Sequence, residues 1–294
     1  MSKYILSCCS TADMSEEFFN ERNINYVCFH YEVDGVEYSD DLGKSMSFEE
    51  FYKKMEQGAM TKTSQVNADE YINYFGKFLD EGYDILHVCL SSGISGSYNS
   101  AMIAKSDLEE KYPERKIYVV DSLNASSGFG LLMDELADLR DAGKNIDELN
   151  EWIEQNKLYY HAWVLTTDLT YLVRGGRVSK AAGVFGTALN ICPIIEVNVE
   201  GKLLSRDKVR TKKKAIKELV AKMENLAENG TEYSGKCFIS NSACLEDAQA
   251  VASLIKEKFP NVKEVVISDI GTTIGSHTGP GTVALFFKGK ERIN

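Results

Sequence analysis

The residues best equipped for chemistry lie in one short stretch, Val88-Cys-Leu-Ser-Ser-Gly-Ile-Ser-Gly-Ser-Tyr-Asn-Ser-Ala101. There Ser91, Ser92, Ser95 and Ser97 surround Gly93 and Gly96, directly after an apolar run over residues 85–90. A strand that empties through a Gly/Ser loop into a helix gathers hydroxyls and unpaired N–H groups around one point, which suits an anion. Serines also cap helices and form turns, so the loop alone leaves both readings open. More hydroxyls come from Thr63, Ser64 and Ser122, and from Thr272, Thr273 and Ser276 in the polar, glycine-rich run 271–281. With Arg174 or Arg177 and His277, they can surround a carboxylate or another small anion.

Other chemistries lack their parts. The chain has no GxxxxGK[ST] sequence and no GxGxxG at a strand–helix turn, so ATP or dinucleotide binding has none of its usual support. His30, His87, His161 and His277 are scattered, and without HxxxH or CxxC spacing neither a metal nor another cofactor is expected. The segment Gly93-Ile-Ser-Gly96 is not the G-x-S-x-G nucleophile elbow. A Ser95 nucleophile served by His277 would make a serine-dependent acyl hydrolase, yet no acid partner is evident. That hydrolase and a binder of a small anionic metabolite both stay open on these residues.

Loops of this kind need a scaffold. At 294 residues the chain is long enough for two ordinary domains. Its net charge of −11 disfavours nucleic acid or an anionic membrane surface as partner. No apolar run approaches the roughly 18–20 residues that a membrane span requires, so no stable insertion is expected. The start of the chain lacks a signal-peptide core, and seven cysteines without paired spacing read as reduced thiols, together giving a cytoplasmic expectation. Strands are expected over 3–9, 26–33, 85–90 and 117–121, alternating with periodic helices. Asp13 with Glu16 reads as a capping box, Asn67 with Glu70 as another, and Asp34-Gly35 as a hairpin turn. Such alternation predicts a mainly parallel sheet flanked by helices, with ligands beyond the carboxyl ends of its strands.

A strand over 159–167 marks the border to a second half. Strands at 189–199, 198–204, 237–240, 264–268 and 282–287 alternate there with two periodic helices, predicting a smaller sheet with helices on one side, and 271–281 reads as a loop. The fold class is therefore α/β with two α/β domains, residues 1–158 and 159–294. One basic run, Arg206, Lys208, Arg210, Lys212, Lys213 and Lys214, opposes the acidic background and reads as a solvated helix face or a partner surface.

Six short motifs then occur in order: Thr63-Ser64-Gln65, Ser91-Ser-Gly-Ile-Ser-Gly-Ser-Tyr98, Asp121-Ser122, Leu172-Val-Arg-Gly-Gly-Arg177, Arg210-Thr-Lys-Lys-Lys-Ala215 and His277-Thr-Gly-Pro-Gly281. Together they resemble the DegV family of bacterial fatty-acid-binding proteins, the acyl-carrying subunits of fatty acid kinase. The resemblance implies two α/β domains, an acyl chain in a tunnel running into the first, and a carboxylate near the domain junction. It also implies a carrier without catalytic residues, whose cargo a separate ATP-dependent kinase converts to an acyl phosphate for phospholipid synthesis. Carried over, Thr63 and Ser95 bond the carboxylate, Ser64 is their neighbour, and Arg174 and His277 face the same group. Val66 stands where proline commonly follows the first motif, and Gly-Ser-Tyr replaces Gly-Thr-Tyr in the second, but both keep their hydroxyl donors. The apolar faces of 48–55, 71–79 and 129–139 are candidates for the tunnel wall, though the same periodicity serves ordinary core. Arg206, Lys208, Arg210, Lys212 and Lys213 become the candidate docking surface for the kinase.

Overall fold

The computed structural model describes residues 3–179 and 191–293. Strands β1 (Tyr4–Cys9), β2 (Ile24–Val27), β6 (Asp84–Cys89) and β7 (Ile117–Asp121) form a parallel sheet in the order β2-β1-β6-β7. Every residue of β6 is buried, as a central parallel strand covered on both faces requires. Helices α3 (Ala68–Asp80), α4 (Ser97–Lys111), α5 (Ser127–Asp141) and α6 (Ile146–Asn156) accompany these strands. Asn67 and Glu70 form a reciprocal box at the start of α3, satisfying two N–H groups that would otherwise lack partners.

A three-stranded antiparallel sheet stands beside it, with β3 (His30–Val33) between β4 (Val36–Ser39) and β5 (Thr61–Ser64). Asp34 and Gly35 turn this hairpin with φ of 50° and 87°, the positive values that a tight two-residue turn demands. The run expected as one strand over 26–33 is thus two, β2 in the parallel sheet and β3 in the hairpin. Helix α2 (Phe48–Glu56) starts at its Ser47 cap and packs Phe51, Tyr52 and Met55 on Tyr31 and Val33. The expected box of Asp13 with Glu16 does not form. Ser15 caps α1 (Glu16–Glu21), whereas Asp13 is buried at the end of a short 3-10 turn with φ of 51°.

The second sheet has six strands in the order β10-β9-β8-β13-β11-β12. They are β8 (Tyr160–Leu165), β9 (Ile191–Val197), β10 (Leu203–Arg210), β11 (Lys236–Asn241), β12 (Glu264–Asp269) and β13 (Val283–Lys288). It is the larger sheet of the two, not the smaller. Part of the basic run lies in this sheet and lengthens its edge: Arg206, Lys208 and Arg210 are the outward residues of edge strand β10, alternating with more covered neighbours. Only Lys212, Lys213 and Lys214 are helical, opening α8 (Lys212–Leu226). Leu189 and Asn190, expected at the start of β9, lie outside the described residues.

Period-two alternation gives this sheet two working faces. Trp163, Leu165, Ile194, Leu285 and Phe287 pack into a core with α8 and α9 (Leu245–Lys258). Ala284 and Phe286 point the other way and join Phe129 and Leu132 of α5 in a core shared by both halves of the chain. Short α7 (Thr170–Arg174) follows β8, and the expected polar loop at 271–281 folds as α10 (Thr272–Thr278). Glycine is required within α10, because a Cβ on Gly275 would lie 2.4 Å from the Tyr52 hydroxyl oxygen.

Polar ties cross between the halves. Buried Lys236 of β11 contacts Asp134 and lies 2.5 Å from Asp138, both on α5, and Arg22 lies 2.8 Å from Asp134. Removing one member of a buried ionic group leaves the others uncompensated. Because Asp138 is partly in solvent, Lys236→Ala is expected to lower unfolding free energy by roughly 3 kcal/mol, the low end for such a loss. Urea denaturation checks this, and a loss below about 1 kcal/mol, the value of a surface pair, would contradict it.

Candidate functional site

The inward face of the large sheet floors a cavity of about 350 Å3, within the roughly 300–1,000 Å3 usual for ligand pockets. Ala284, Val164 and Ile195 stand in register across β13, β8 and β9, and all three line it. Phe286 and Val197, two residues along their strands, extend the same apolar surface. Leu90, Ile94 and Ala125, from loops beyond the carboxyl ends of β6 and β7, close it from the first half.

Polar side chains line it as well. Thr63 and Ser64 come from the end of β5, Ser95 from the serine loop, His277 from the last turn of α10, and Arg177 from the segment after α7. Thr63 Oγ1 and His277 Nε2 are 2.8 Å apart. Ser95 Oγ accepts the Ser97 N–H at 3.2 Å, which leaves its own proton to donate. Among the four loop serines only Ser95 lines the cavity. Ser91 is buried and donates to the Gly201 carbonyl at 2.9 Å, Ser97 bonds the Tyr71 hydroxyl at 2.7 Å, and Ser92 is exposed. Ser122 is buried in its own turn, donating to the Asn124 carbonyl at 3.1 Å.

Burial, followed by the nearby Arg177 charge, lowers the His277 imidazole to about 4. The ring is therefore neutral at pH 7, with one nitrogen donating and the other accepting. Its Nδ1 is buried without a hydrogen-bond partner. A Cβ on Gly175 would lie 2.1 Å from that nitrogen, so glycine is what lets the ring sit there. Arg177 is partly buried, and its Nε and Nη1 donate to the carbonyls of Ile94 at 3.1 Å and Gly175 at 2.5 Å. Among the described residues no carboxylate pairs with it, so it offers an uncompensated positive charge to an anion.

Arg174, expected beside the same group, does not line the cavity. It is exposed, over the Tyr171 ring at 5.3 Å and 3.5 Å from the Met60 sulfur. The Arg174-Gly-Gly-Arg177 spacing left the two arginines open, and the turn after α7 brings the second one inward. The apolar helix faces at 48–55, 71–79 and 129–139 supply core residues such as Phe51, Phe75 and Phe129, none of which lines this cavity. Among the described residues no three His, Cys, Asp or Glu side chains are grouped to hold a metal, and no helix is long and apolar enough to cross a membrane. A cavity lined by an apolar sheet face and by hydroxyls, a neutral imidazole and a guanidinium can hold an amphiphile with an anionic head.

Residues 9–290 match a family model described as "Uncharacterised protein, DegV family". The chain is 38% identical over 292 residues to a DegV domain-containing protein of Clostridium perfringens, covering 99% of both chains. A Thermotoga maritima protein whose structure is described as revealing a fatty acid binding function is 26% identical, with a TM-score of 0.84 over 98% of this chain and 100% of that one. A DegV family protein of Ruminococcus gnavus, refined with vaccenic acid, is 27% identical, with a TM-score of 0.85 over 96% of this chain and 99% of the other.

The His277 environment sets a measurable property. Its folded value of about 4 lies below the ordinary 6.5, so the unfolded chain takes the proton first. That contribution to stability is full above pH 6.5 and is lost as pH falls from 6.5 through about 4, by up to about 1.4 kcal/mol per pH unit. An NMR titration is expected to show the His277 ring titrating near 4; a midpoint near 6.5 would contradict the buried, neutral assignment.

Proposed function

The chain belongs to the DegV family, and from that premise we propose that it carries a long-chain fatty acid and presents it to a separate ATP-dependent kinase. The acyl tail lies along the apolar floor formed by Val164, Ile195, Ala284 and Phe286. The carboxylate accepts hydrogen bonds from Thr63, Ser64 and Ser95, beside His277 and the Arg177 guanidinium. The observation that carries this reading is one cavity lined both by an apolar sheet face and by those polar side chains, with Thr63 and His277 2.8 Å apart.

Energetics divide the work between tail and head. A tail of about fifteen buried methylenes contributes on the order of 12 kcal/mol at about 0.8 kcal/mol each. Association and ordering cost roughly 4–15 kcal/mol, so the tail alone leaves little margin. Hydrogen bonds to a charged head add about 1.5–3 kcal/mol each and fix which end points where. Ser64 is exposed while Ala284 and Phe286 are buried, which supports a carboxylate turned towards solvent, where a partner enzyme can reach it.

The kinase converts that carboxylate to an acyl phosphate for phospholipid synthesis; the carrier contributes binding and orientation. Seven free thiols support a cytoplasmic setting. The docking surface is the outward edge of β10 with the start of α8, formed by Arg206, Lys208, Arg210, Lys212 and Lys213. Within it Arg206 pairs with Glu196 at 2.6 Å and Lys212 with Asp247 at 2.8 Å, leaving Arg210 and Lys213 as the more available charges of that set. The hydrolase reading is disfavoured, because His277 Nε2 is engaged by Thr63 and the ring is a weak base at about 4.

Native mass spectrometry of the purified chain, followed by denaturing extraction, is expected to show a free fatty acid that Thr63→Ala/Ser95→Ala loses or holds weakly. A chain that carries no lipid and takes up none when it is added would contradict the carrier role. Gly175→Ala is expected to displace the His277 ring and weaken fatty-acid affinity about tenfold, the value of one hydrogen bond to a charged group. Unchanged affinity in a fluorescent fatty-acid displacement assay would remove His277 from the site.

A further inference from the structure

Gln65 lines the same cavity as Thr63, Ser64 and Ser95. Among the described residues it is the only primary amide there, and no carboxylate lines the cavity. Its backbone is fixed on both sides. Thr63 and Ser64 before it pair with Tyr31 and His30 of β3. After it, Val66 is fully buried and Asn67 caps α3.

The side-chain amide reaches from the end of β5 to the serine loop. A Cβ on Gly96 would lie 2.6 Å from Gln65 Oε1 and 3.1 Å from Nε2, so glycine directly after Ser95 is what admits the amide. Gln65 Nε2 donates to Ser100 Oγ of α4 at 3.0 Å. A primary amide carries two N–H donors, and the Ser100 bond uses one. That bond also restrains a side chain which would otherwise lose rotamer freedom on meeting a ligand.

We infer that Gln65 is a further head-group residue, which donates its second N–H to the fatty-acid carboxylate. The inference rests on the carrier reading. A carboxylate offers about four acceptor sites on its two oxygens, so hydroxyls of Thr63, Ser64 and Ser95 leave one to fill. An amide suits that place because it donates without bringing a negative charge. A glutamate of the same shape would set a like charge beside the head and supply no N–H.

Displacement of a fluorescent fatty acid from the full chain tests this, with hexadecanoic acid and hexadecan-1-ol as competitors at about pH 8, above the carboxylate range. Gln65→Met keeps the length and loses the donor, and is expected to weaken the acid about tenfold, the loss of one hydrogen bond to a charged group. Gln65→Glu keeps the shape and is expected to weaken the acid further, while both variants lose less affinity for the alcohol. A purely structural role gives the opposite order, because Glu preserves the packing against Gly96 better than Met. Gln65→Glu binding the acid at least as tightly as Gln65→Met, or equal losses for acid and alcohol, would overturn the assignment. Should either variant fail to fold, NMR of the unmodified chain decides: one Gln65 Nε2 proton is expected to move downfield when hexadecanoic acid is added, and an unmoved pair would overturn it. An unmodified chain that binds no fatty acid contradicts the carrier reading and this assignment together; failure of the variant effects alone leaves the carrier reading standing.

Discussion

Two backbones meet at the seam between the serine loop and the β9–β10 hairpin with no room for a side chain between them. A Cβ on Gly93 would lie 2.6 Å from the carbonyl oxygens of Glu200 and Gly201, and one on Gly201 would lie 1.9 Å from Ser91 Oγ. Ser91 bridges the same gap by donating to the Gly201 carbonyl. This contact pins the serine loop of the parallel sheet to the β9–β10 hairpin of the other sheet, and so sets Ser95 above the apolar floor. Arg292 secures the seam from behind. Its buried guanidinium donates to the carbonyls of Lys157, Leu158, Leu123, Val197 and Asn198.

Given that seam, placement of the site follows from alternation along strands. The large sheet must bury two faces, and helices α8 and α9 cover only one. Its other face packs on α5 through Ala284 and Phe286, and the cavity lies between that face and residues of α7, α10 and the loops. The polar side chains that line the cavity come from β5, the serine loop, the segment after α7 and α10, so both halves of the chain contribute to its wall.

Much of this was legible from local chemistry. The Asn67–Glu70 box, the Asp34-Gly35 hairpin and the serine loop depend on residues close in sequence, and Thr63, Ser64, Ser95 and His277 all line one cavity. Errors arose where tertiary burial outweighed local pattern. Asp13 has the spacing of a cap but is buried against Ser126, while its neighbour Ser15 takes the role. Gly271 and Gly275 read as loop residues because glycine disfavours helix, yet they admit Asp13 and Tyr52 against α10. The apolar helix stripes looked equally able to form a tunnel or a core, since periodicity marks the buried face and not what it is buried against. Basic residues at every second position, Arg206, Lys208 and Arg210, were the available sign of an edge strand.

The central claim is that the ligand lies at this seam, with its head at the hydroxyls and its tail on the sheet. A crystal of the chain bound to a fatty acid brominated at its terminal carbon tests it directly through the anomalous signal. The carboxylate is expected within hydrogen-bond reach of Thr63 and Ser95, with the bromine inside the cavity floored by Ile195, Ala284 and Phe286. A bromine among the side chains of α3 and α5, or a carboxylate remote from Thr63 and Ser95, would contradict the account.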